Sequence, residues 1–85
     1  MRAKRDMLAY VLLKVEVGAE KKVTAQLNDI GEFKEAYVLF GDYDYIIELE
    51  ATSIQALARI VTHKIRRING VEKTITLLEA PAEDL

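Results

Sequence analysis

The sequence predicts an α+β fold of the ferredoxin-like type, with a four-stranded antiparallel sheet and two helices on one face. Three observations support it: apolar patterns follow the order β-α-β-β-α-β, a Gly-Asp turn separates the two central strands, and 85 residues suffice for one domain only. We assign residues 7–79 to this domain, residues 1–6 to an N-terminal extension and residues 80–85 to a C-terminal tail.

The first two elements are a strand and a helix. Met7–Val17 is rich in Val, Leu and Tyr, and it alternates apolar and charged residues towards its end, as a half-buried strand does. Glu20–Ile30 repeats apolar residues at i, i+4 and i+7, which predicts a helix with one buried stripe. Gly31 follows this segment and is expected to end the helix.

Phe33–Phe40 is predicted to be the second strand. Its last four residues are all apolar, so the pattern leaves open which side faces the core. Either Tyr37 and Leu39 or Val38 and Phe40 are expected on the opposite side of the sheet.

The second half of the chain completes the pattern. Tyr43–Ala51 alternates with period two, and the Gly41-Asp42 turn predicts that it pairs antiparallel with the preceding strand. The apolar stripe from Ile54 to Ile68 fits a second helix, which Asn69-Gly70 is expected to end. Val71–Leu78 is predicted to be the last strand.

One face of this sheet has no helix to cover it, and we call it the open face. The residues expected there, besides one pair from the second strand, are Leu8, Tyr10, Leu12, Lys14, Glu16, Ile46, Glu48, Glu50, Thr74, Thr76 and Leu78. An apolar patch of this size favours a subunit interface over a sheet surface with a few tolerated apolar residues. A domain this small also buries little surface alone. We therefore predict a homo-oligomer, with Tyr10, Leu12, Tyr37 and Leu39 at the dimer interface.

Composition excludes several classes of protein. The formal net charge of −2 argues against a nucleic-acid binder. The absence of cysteine excludes disulfide pairing and thiolate chemistry. The longest apolar run, Met7–Leu13, is far shorter than the roughly 20 residues that span a bilayer. No signal-peptide pattern is present. We expect a cytoplasmic protein that does not bind membranes.

The only histidine, His63, lies on the predicted second helix among cations. Nothing converges on it that would make it a general base or a metal ligand. The group formed with Arg59, Arg66 and Arg67 is interpreted as a solvated helix face, although such a basic patch is also able to contact phosphates.

The carboxylates offer little support for catalysis. Glu48 and Glu50 are expected to pair with Lys14 across the sheet. The sequence contains no Ser/His/Asp set, no phosphate-binding glycine loop and no metal-ligand spacing. We therefore predict no enzymatic activity and no cofactor.

The segment Gly41–Asp44 is a candidate ligand site. A glycine allows the backbone to approach a ligand closely, and two carboxylates and a phenol follow it. Such a loop is suited to holding an ammonium group, but it also fits a plain hairpin turn with acidic residues. Thr74 and Thr76 are similarly ambiguous, because threonine is common in strands.

Gly-Asp-Tyr-Asp-Tyr-Ile-Ile-Glu-Leu at 41–49 and Ile-Asn-Gly-Val-Glu-Lys-Thr-Ile-Thr at 68–76 resemble the effector (RAM) domain of Lrp/AsnC regulators. The resemblance covers Leu8 to Glu79. It rests on a glycine, a variable position, an aromatic and an aspartate before strand three, and on Gly-Val and threonines in strand four. Full-length members begin with a helix-turn-helix domain. Because only Met1–Asp6 precedes the first strand, the chain is similar to a stand-alone effector domain, without specific DNA binding of its own.

The resemblance implies dimers formed through the sheets, assembled into rings that are often octamers. It also implies an amino acid or similar small effector bound where dimers meet, and co-assembly with full-length Lrp/AsnC regulators. The effector-binding residues that it implies are Gly41, Asp42, Tyr43, Asp44, Thr74 and Thr76. Asp42 stands at the variable position, where it would favour an effector with a basic side chain.

Two other functions remain open at this point. The first is a small enzyme of the dimeric α+β barrel type, such as a cofactor-free monooxygenase or an isomerase. Such an enzyme needs a polar or histidine-containing pocket between sheet and helices, where this sequence predicts Val, Leu and Ile. The second is a purely structural assembly domain that binds no effector. Fold alone does not decide among these functions.

Overall fold

The computed structural model describes residues 7–79, which form one four-stranded sheet and two helices. In chain order the elements are β1 (Met7–Val15), α1 (Glu20–Asn28), β2 (Phe33–Val38), β3 (Tyr45–Ala51), α2 (Ile54–Ile60), a π-helical segment that continues α2 (Val61–Ile65), and β4 (Val71–Leu78). The strand order is β2-β3-β1-β4, and all neighbouring strands are antiparallel. This confirms the predicted ferredoxin-like fold. The proposed N-terminal extension and C-terminal tail lie outside the described residues.

The core lies between the helices and one face of the sheet. Alternate residues of the two central strands point into it, as period-two patterning requires. The buried residues are Ala9, Val11, Leu13, Val15, Ala19, Val23, Leu27, Ile47, Leu49, Ala51, Leu57, Ile60, Val61, Ile65 and Ile68. Every buried side chain within residues 7–79 is apolar.

Several elements are shorter than the sequence predicted. β1 ends at Val15, because the chain turns through Gly18, whose φ of 87° suits glycine. α1 ends at Asn28, where the Asp29 N–H donates to the Gln26 carbonyl at 3.2 Å and the Ile30 N–H donates to the Leu27 carbonyl at 3.0 Å. Gly31 is therefore not the residue that ends the helix.

The second helix begins as predicted but changes geometry midway. The Ser53 hydroxyl accepts a hydrogen bond from the Ala56 N–H at 3.0 Å, which caps the first turn. The Arg66 N–H donates to the Val61 carbonyl five residues back at 2.8 Å, as in a π-helix. Ile60 is buried, whereas Ile54 is 56% exposed, so the buried stripe is rotated from the predicted one.

The β1–β4 register corrects the prediction for the open face. Tyr10 pairs with Leu77 and Leu12 with Ile75, so Ile75 and Leu77 share the open face with these β1 residues. Three β4 residues that were predicted on the open face lie on the helix side instead: Thr74, Thr76 and Leu78.

A β-bulge explains this error. Lys14 pairs with Lys73 and Val15 with Val71, which leaves Glu72 as the extra residue in β4. Val71 packs against the core, so simple alternation would place Lys73 on the core side too. Because of the bulge, Lys73 and every second residue after it point to the open face.

The β2–β3 register settles which side of β2 faces the core. Tyr37 pairs with Ile46 and therefore lies on the open face, whereas Val38 pairs with Tyr45 on the helix side. The pairing continues by one hydrogen bond, from the Leu39 N–H to the Asp44 carbonyl at 2.9 Å. This places Leu39 on the same side as Tyr37.

The turn before β4 packs closely against α1. A Cβ at Gly70, where φ is 108°, would lie 2.9 Å from Ala19 Cβ and from Val23 Cγ2. The Gln26 side chain also bonds both backbone groups of Asn69, each at 3.1 Å. These contacts position the start of β4, and with it the bulge.

Candidate functional site

The loop between β2 and β3 is attached to β1 through Asp44. The Asp44 N–H donates to the Leu13 carbonyl at 2.8 Å, and the Asp44 Oδ2 accepts from the Val15 N–H at 2.7 Å. β1 pairs with β3 only as far as Leu13, so the carboxylate provides the partner that the strand no longer offers to Val15. The side chain of Asp44 therefore positions the loop.

Gly41 leaves the backbone of this loop accessible. Its φ is 143°, and no heavy atom of the described residues other than its chain neighbours lies within 4 Å of where a Cβ would be. The Lys14 Nζ donates to the Asp42 carbonyl at 3.2 Å, which attaches the loop to β1 a second time. A ligand is thus able to approach the loop backbone from the side that a Cβ would occupy.

A depression of about 260 Å³ lies beside the loop and is lined by Lys14, Asp42, Tyr43 and Lys73. The two lysines are direct cross-strand partners on β1 and β4. Neither forms an ion pair within residues 7–79, where the ion pairs are Lys34–Glu50 and Lys64–Glu32, each at 3.1 Å. Sequence reasoning missed this lysine pair because it depends on the bulged register.

The expected pairing of Lys14 with Glu48 or Glu50 is wrong. Glu48 pairs with Tyr10, four residues before Lys14, which is roughly 13 Å along an extended strand. Glu50 forms its ion pair with Lys34 on β2.

The two predicted threonines lie apart from the loop. Thr74 lines a groove of about 310 Å³ with Arg66 and the start of β4. Thr76 lines a mostly apolar groove of about 280 Å³ between α2 and β4. Within one chain, the structure therefore brings Asp42 and Tyr43 together but does not bring the threonines to them.

The open face carries a continuous apolar row across all four strands. Cross-strand pairing aligns Tyr37, Ile46, Leu12 and Ile75. The adjacent row consists of Glu35, Glu48, Tyr10 and Leu77. Desolvation, with the nearby carboxylates of Glu79 and Glu48, raises the pKa of Tyr10. Three large hydrophobic side chains of these rows remain substantially exposed, Tyr37 at 55%, Ile75 at 41% and Leu77 at 46%.

The basic group on the second helix lies at the surface. His63, Arg59, Arg66 and Arg67 are all exposed, as expected for a solvated helix face. No group of three His, Cys, Asp or Glu side chains in residues 7–79 is arranged to hold a metal ion. No helix in this part of the chain is long and apolar enough to cross a membrane.

Sequence comparison identifies related regulators. The transcriptional regulator FL11 of Pyrococcus horikoshii is 33% identical over 73 residues, which cover 86% of this chain but 48% of FL11. The chain thus spans about half the length of the curated relatives that it matches.

Solved structures have the same fold. The crystal structure of the hypothetical protein PHS023 of Pyrococcus horikoshii has a TM-score of 0.79 and 32% identity, covering 88% of this chain and 90% of PHS023. The transcriptional regulator NMB0573 of Neisseria meningitidis, solved in complex with L-Met, has a TM-score of 0.83 at 17% identity, covering 89% of this chain and 51% of NMB0573.

The family match covers nearly all of the described chain. Residues 8–79 match the Lrp/AsnC ligand binding domain, a range that includes every strand and helix after the first residue of β1. The Gly41–Asp44 loop, the open sheet face and the ferredoxin-like topology all lie inside it. The chain therefore belongs to the Lrp/AsnC family, and residues 8–79 correspond to the ligand-binding domain of that family.

Proposed function

We propose that this chain is an amino-acid-sensing and oligomerisation module that modulates transcription regulators. It binds a small effector, an amino acid or a close analogue, beside the Gly41–Asp44 loop and at a contact between copies of the chain. The regulators in question are full-length members of the same family, with which the module co-assembles. The net charge of −2 argues against specific DNA binding by this domain itself.

The observation that carries this proposal is the construction of the loop. Asp44 and Lys14 attach it to β1 at two points, while Gly41 leaves its backbone open to a ligand. A preorganised loop loses little conformational freedom on binding, which favours affinity for a small molecule. The α-ammonium group finds acceptors in the Asp42 carboxylate and loop carbonyls, and the α-carboxylate finds donors in loop N–H groups.

The positions of the other candidate residues support a site between copies. Thr74 and Thr76 lie on the helix side of β4, away from the loop of their own chain. Donors from a neighbouring copy would complete a pocket that one chain leaves open. The L-Met complex of NMB0573 supports an amino acid as the class of effector for a domain of this fold.

The first assembly step in this proposal is a dimer formed through the open faces. The apolar row of Tyr37, Ile46, Leu12 and Ile75 supplies the buried centre, and Tyr10 and Leu39 extend it. Removal of this apolar row from water would favour association of the two sheets. We propose that four such dimers form a ring in the complete assembly.

Titration calorimetry with the full set of proteinogenic L-amino acids tests the proposal, with Gly41→Val as the main variant. A valine would take the positive φ poorly and would fill the open side of the loop, so effector binding should fall at least tenfold. Gly31→Val is the matched control, because Gly31 has an open Cβ position and no positive φ.

Two results would contradict the proposal. If no amino acid binds to the folded and assembled protein, a purely structural assembly domain becomes the better description. If Gly41→Val and the double variant Thr74→Val/Thr76→Val both bind as tightly as the wild type, the effector site lies elsewhere. The apolar core gives the enzyme alternative less support, since every side chain buried between sheet and helices in residues 7–79 is apolar.

A further inference from the structure

The cross-strand pair Lys14 and Lys73 is an unusual feature of the open face. Like charges directly opposite one another on neighbouring strands destabilise a sheet. Neither lysine forms an ion pair with a described residue to relieve this repulsion, and the one hydrogen bond from Lys14 goes to a neutral carbonyl. The arrangement therefore leaves room for an anion between the two ammonium groups.

The position of the pair connects it to the effector loop. Both lysines line the depression of about 260 Å³ whose other residues are Asp42 and Tyr43. The Asp44 carboxylate does not line the depression, and its Oδ2 accepts from the Val15 N–H on β1. Among the side chains that do line it, two cations and the one carboxylate of Asp42 leave one positive charge in excess.

From this charge balance we infer that the site takes an acidic effector, an amino acid or analogue with two carboxylates, and that Lys14 and Lys73 bind its second carboxylate. This inference rests on the proposed function and names the effector class. A neutral amino acid is a zwitterion and would leave the excess charge uncompensated. A basic amino acid would add to the excess positive charge. The charge balance therefore argues against the effector with a basic side chain that Asp42 alone suggested. An acidic one carries the single negative charge that balances the site.

The decisive experiment compares L-glutamate with L-glutamine by calorimetry on the wild type, Lys73→Met and Lys22→Met. The two ligands have nearly the same shape and differ in one charge. Glutamate should bind the wild type about tenfold more tightly than glutamine, and Lys73→Met should remove that difference. Lys22→Met is the control, since Lys22 is an exposed lysine on α1, outside the depression. Added salt should weaken glutamate binding more than glutamine binding.

Other outcomes separate this inference from the proposed function. Tighter binding of a neutral or basic amino acid, or an unchanged glutamate preference in Lys73→Met, overturns the acidic effector but keeps amino-acid sensing. Succinate that binds in a Lys73-dependent way, with no amino acid binding, keeps the anion site and removes amino-acid sensing. If Lys73→Met weakens self-association without altering ligand affinity, the lysines pair with carboxylates of a second copy, and the inference is wrong.

Discussion

Replacing Asp44 tests how the loop is held. In Asp44→Ala the Val15 N–H, bonded at 2.7 Å in a partly buried position, loses its partner. A hydrogen bond to a charged group contributes about 1.5–3 kcal/mol. In a domain of this size each kcal/mol corresponds to about 4–8 °C, so the Tm of Asp44→Ala should fall by roughly 6–24 °C. Thermal unfolding followed by circular dichroism measures this change.

Two further variants separate positioning from direct ligand contact. Asp44→Asn keeps an oxygen that can accept from the Val15 N–H, so it should recover much of the lost stability and of the effector affinity. Asp42→Ala is the control for stability, because an exposed side chain without such a bond should change the free energy of unfolding by less than about 0.5 kcal/mol. An unchanged Tm in Asp44→Ala would refute the positioning role. An Asp44→Asn variant that stays stable but loses the effector would show that the carboxylate contacts the ligand.

Three other predictions concern assembly and stability. Leu12→Lys should dissociate the oligomer in sedimentation experiments, because burying an unpaired charge costs several kcal/mol, whereas Val17→Lys at a fully exposed position should not. Gly70→Ala should lower the free energy of unfolding by about 1–3 kcal/mol in urea titrations, and Gly31→Ala should leave it within about 1 kcal/mol; equal effects would contradict the close approach to α1. A hydrogen bond from Lys64 lowers the pKa of Glu32. Glu32→Gln should therefore lower the free energy of unfolding by less than about 1 kcal/mol at neutral pH, and this difference from wild type should vanish as pH falls through the lowered pKa. A difference that persists in acid would exclude the ion pair as its cause.

Local patterning predicted the elements well. The period-two alternation of Tyr45–Ala51 and the helical stripe of α1 are strong signals, because each needs one buried face and little else. The six elements and their order followed from such signals. Their ends did not, since hydrogen bonds of the loops decide where β1 and α1 stop.

The face of β4 was not predictable from its own residues. Both alternating sets contain β-forming residues, Thr74 and Thr76 in one and Ile75 and Leu77 in the other. The bulge opposite Lys14 decides between them, and it depends on the pairing with a strand far away in sequence. The same non-local register brings the two lysines together, which explains why the candidate site was only partly predicted.

The Gly41–Asp44 loop illustrates a second limit of prediction from the sequence. The spacing of Gly41 and Asp44 drew attention to the loop, but composition did not reveal what the carboxylate of Asp44 does. Its partner is a backbone N–H on β1, twenty-nine residues away in sequence. A role of this kind becomes visible only when the tertiary structure is known.

The measurement that tests the central claim most directly is the dependence of assembly mass on effector concentration. Multi-angle light scattering should be recorded across a protein dilution series, with and without the amino acid that binds most tightly in calorimetry. An effector bound between copies stabilises the assembly by about 2.7 kcal/mol at a hundred times its Kd, which shifts the dissociation midpoint to roughly hundredfold lower protein concentration. We predict that shift for the wild type and its loss in Gly41→Val. The same midpoint with and without a saturating, bound amino acid would contradict a site formed between copies of this chain.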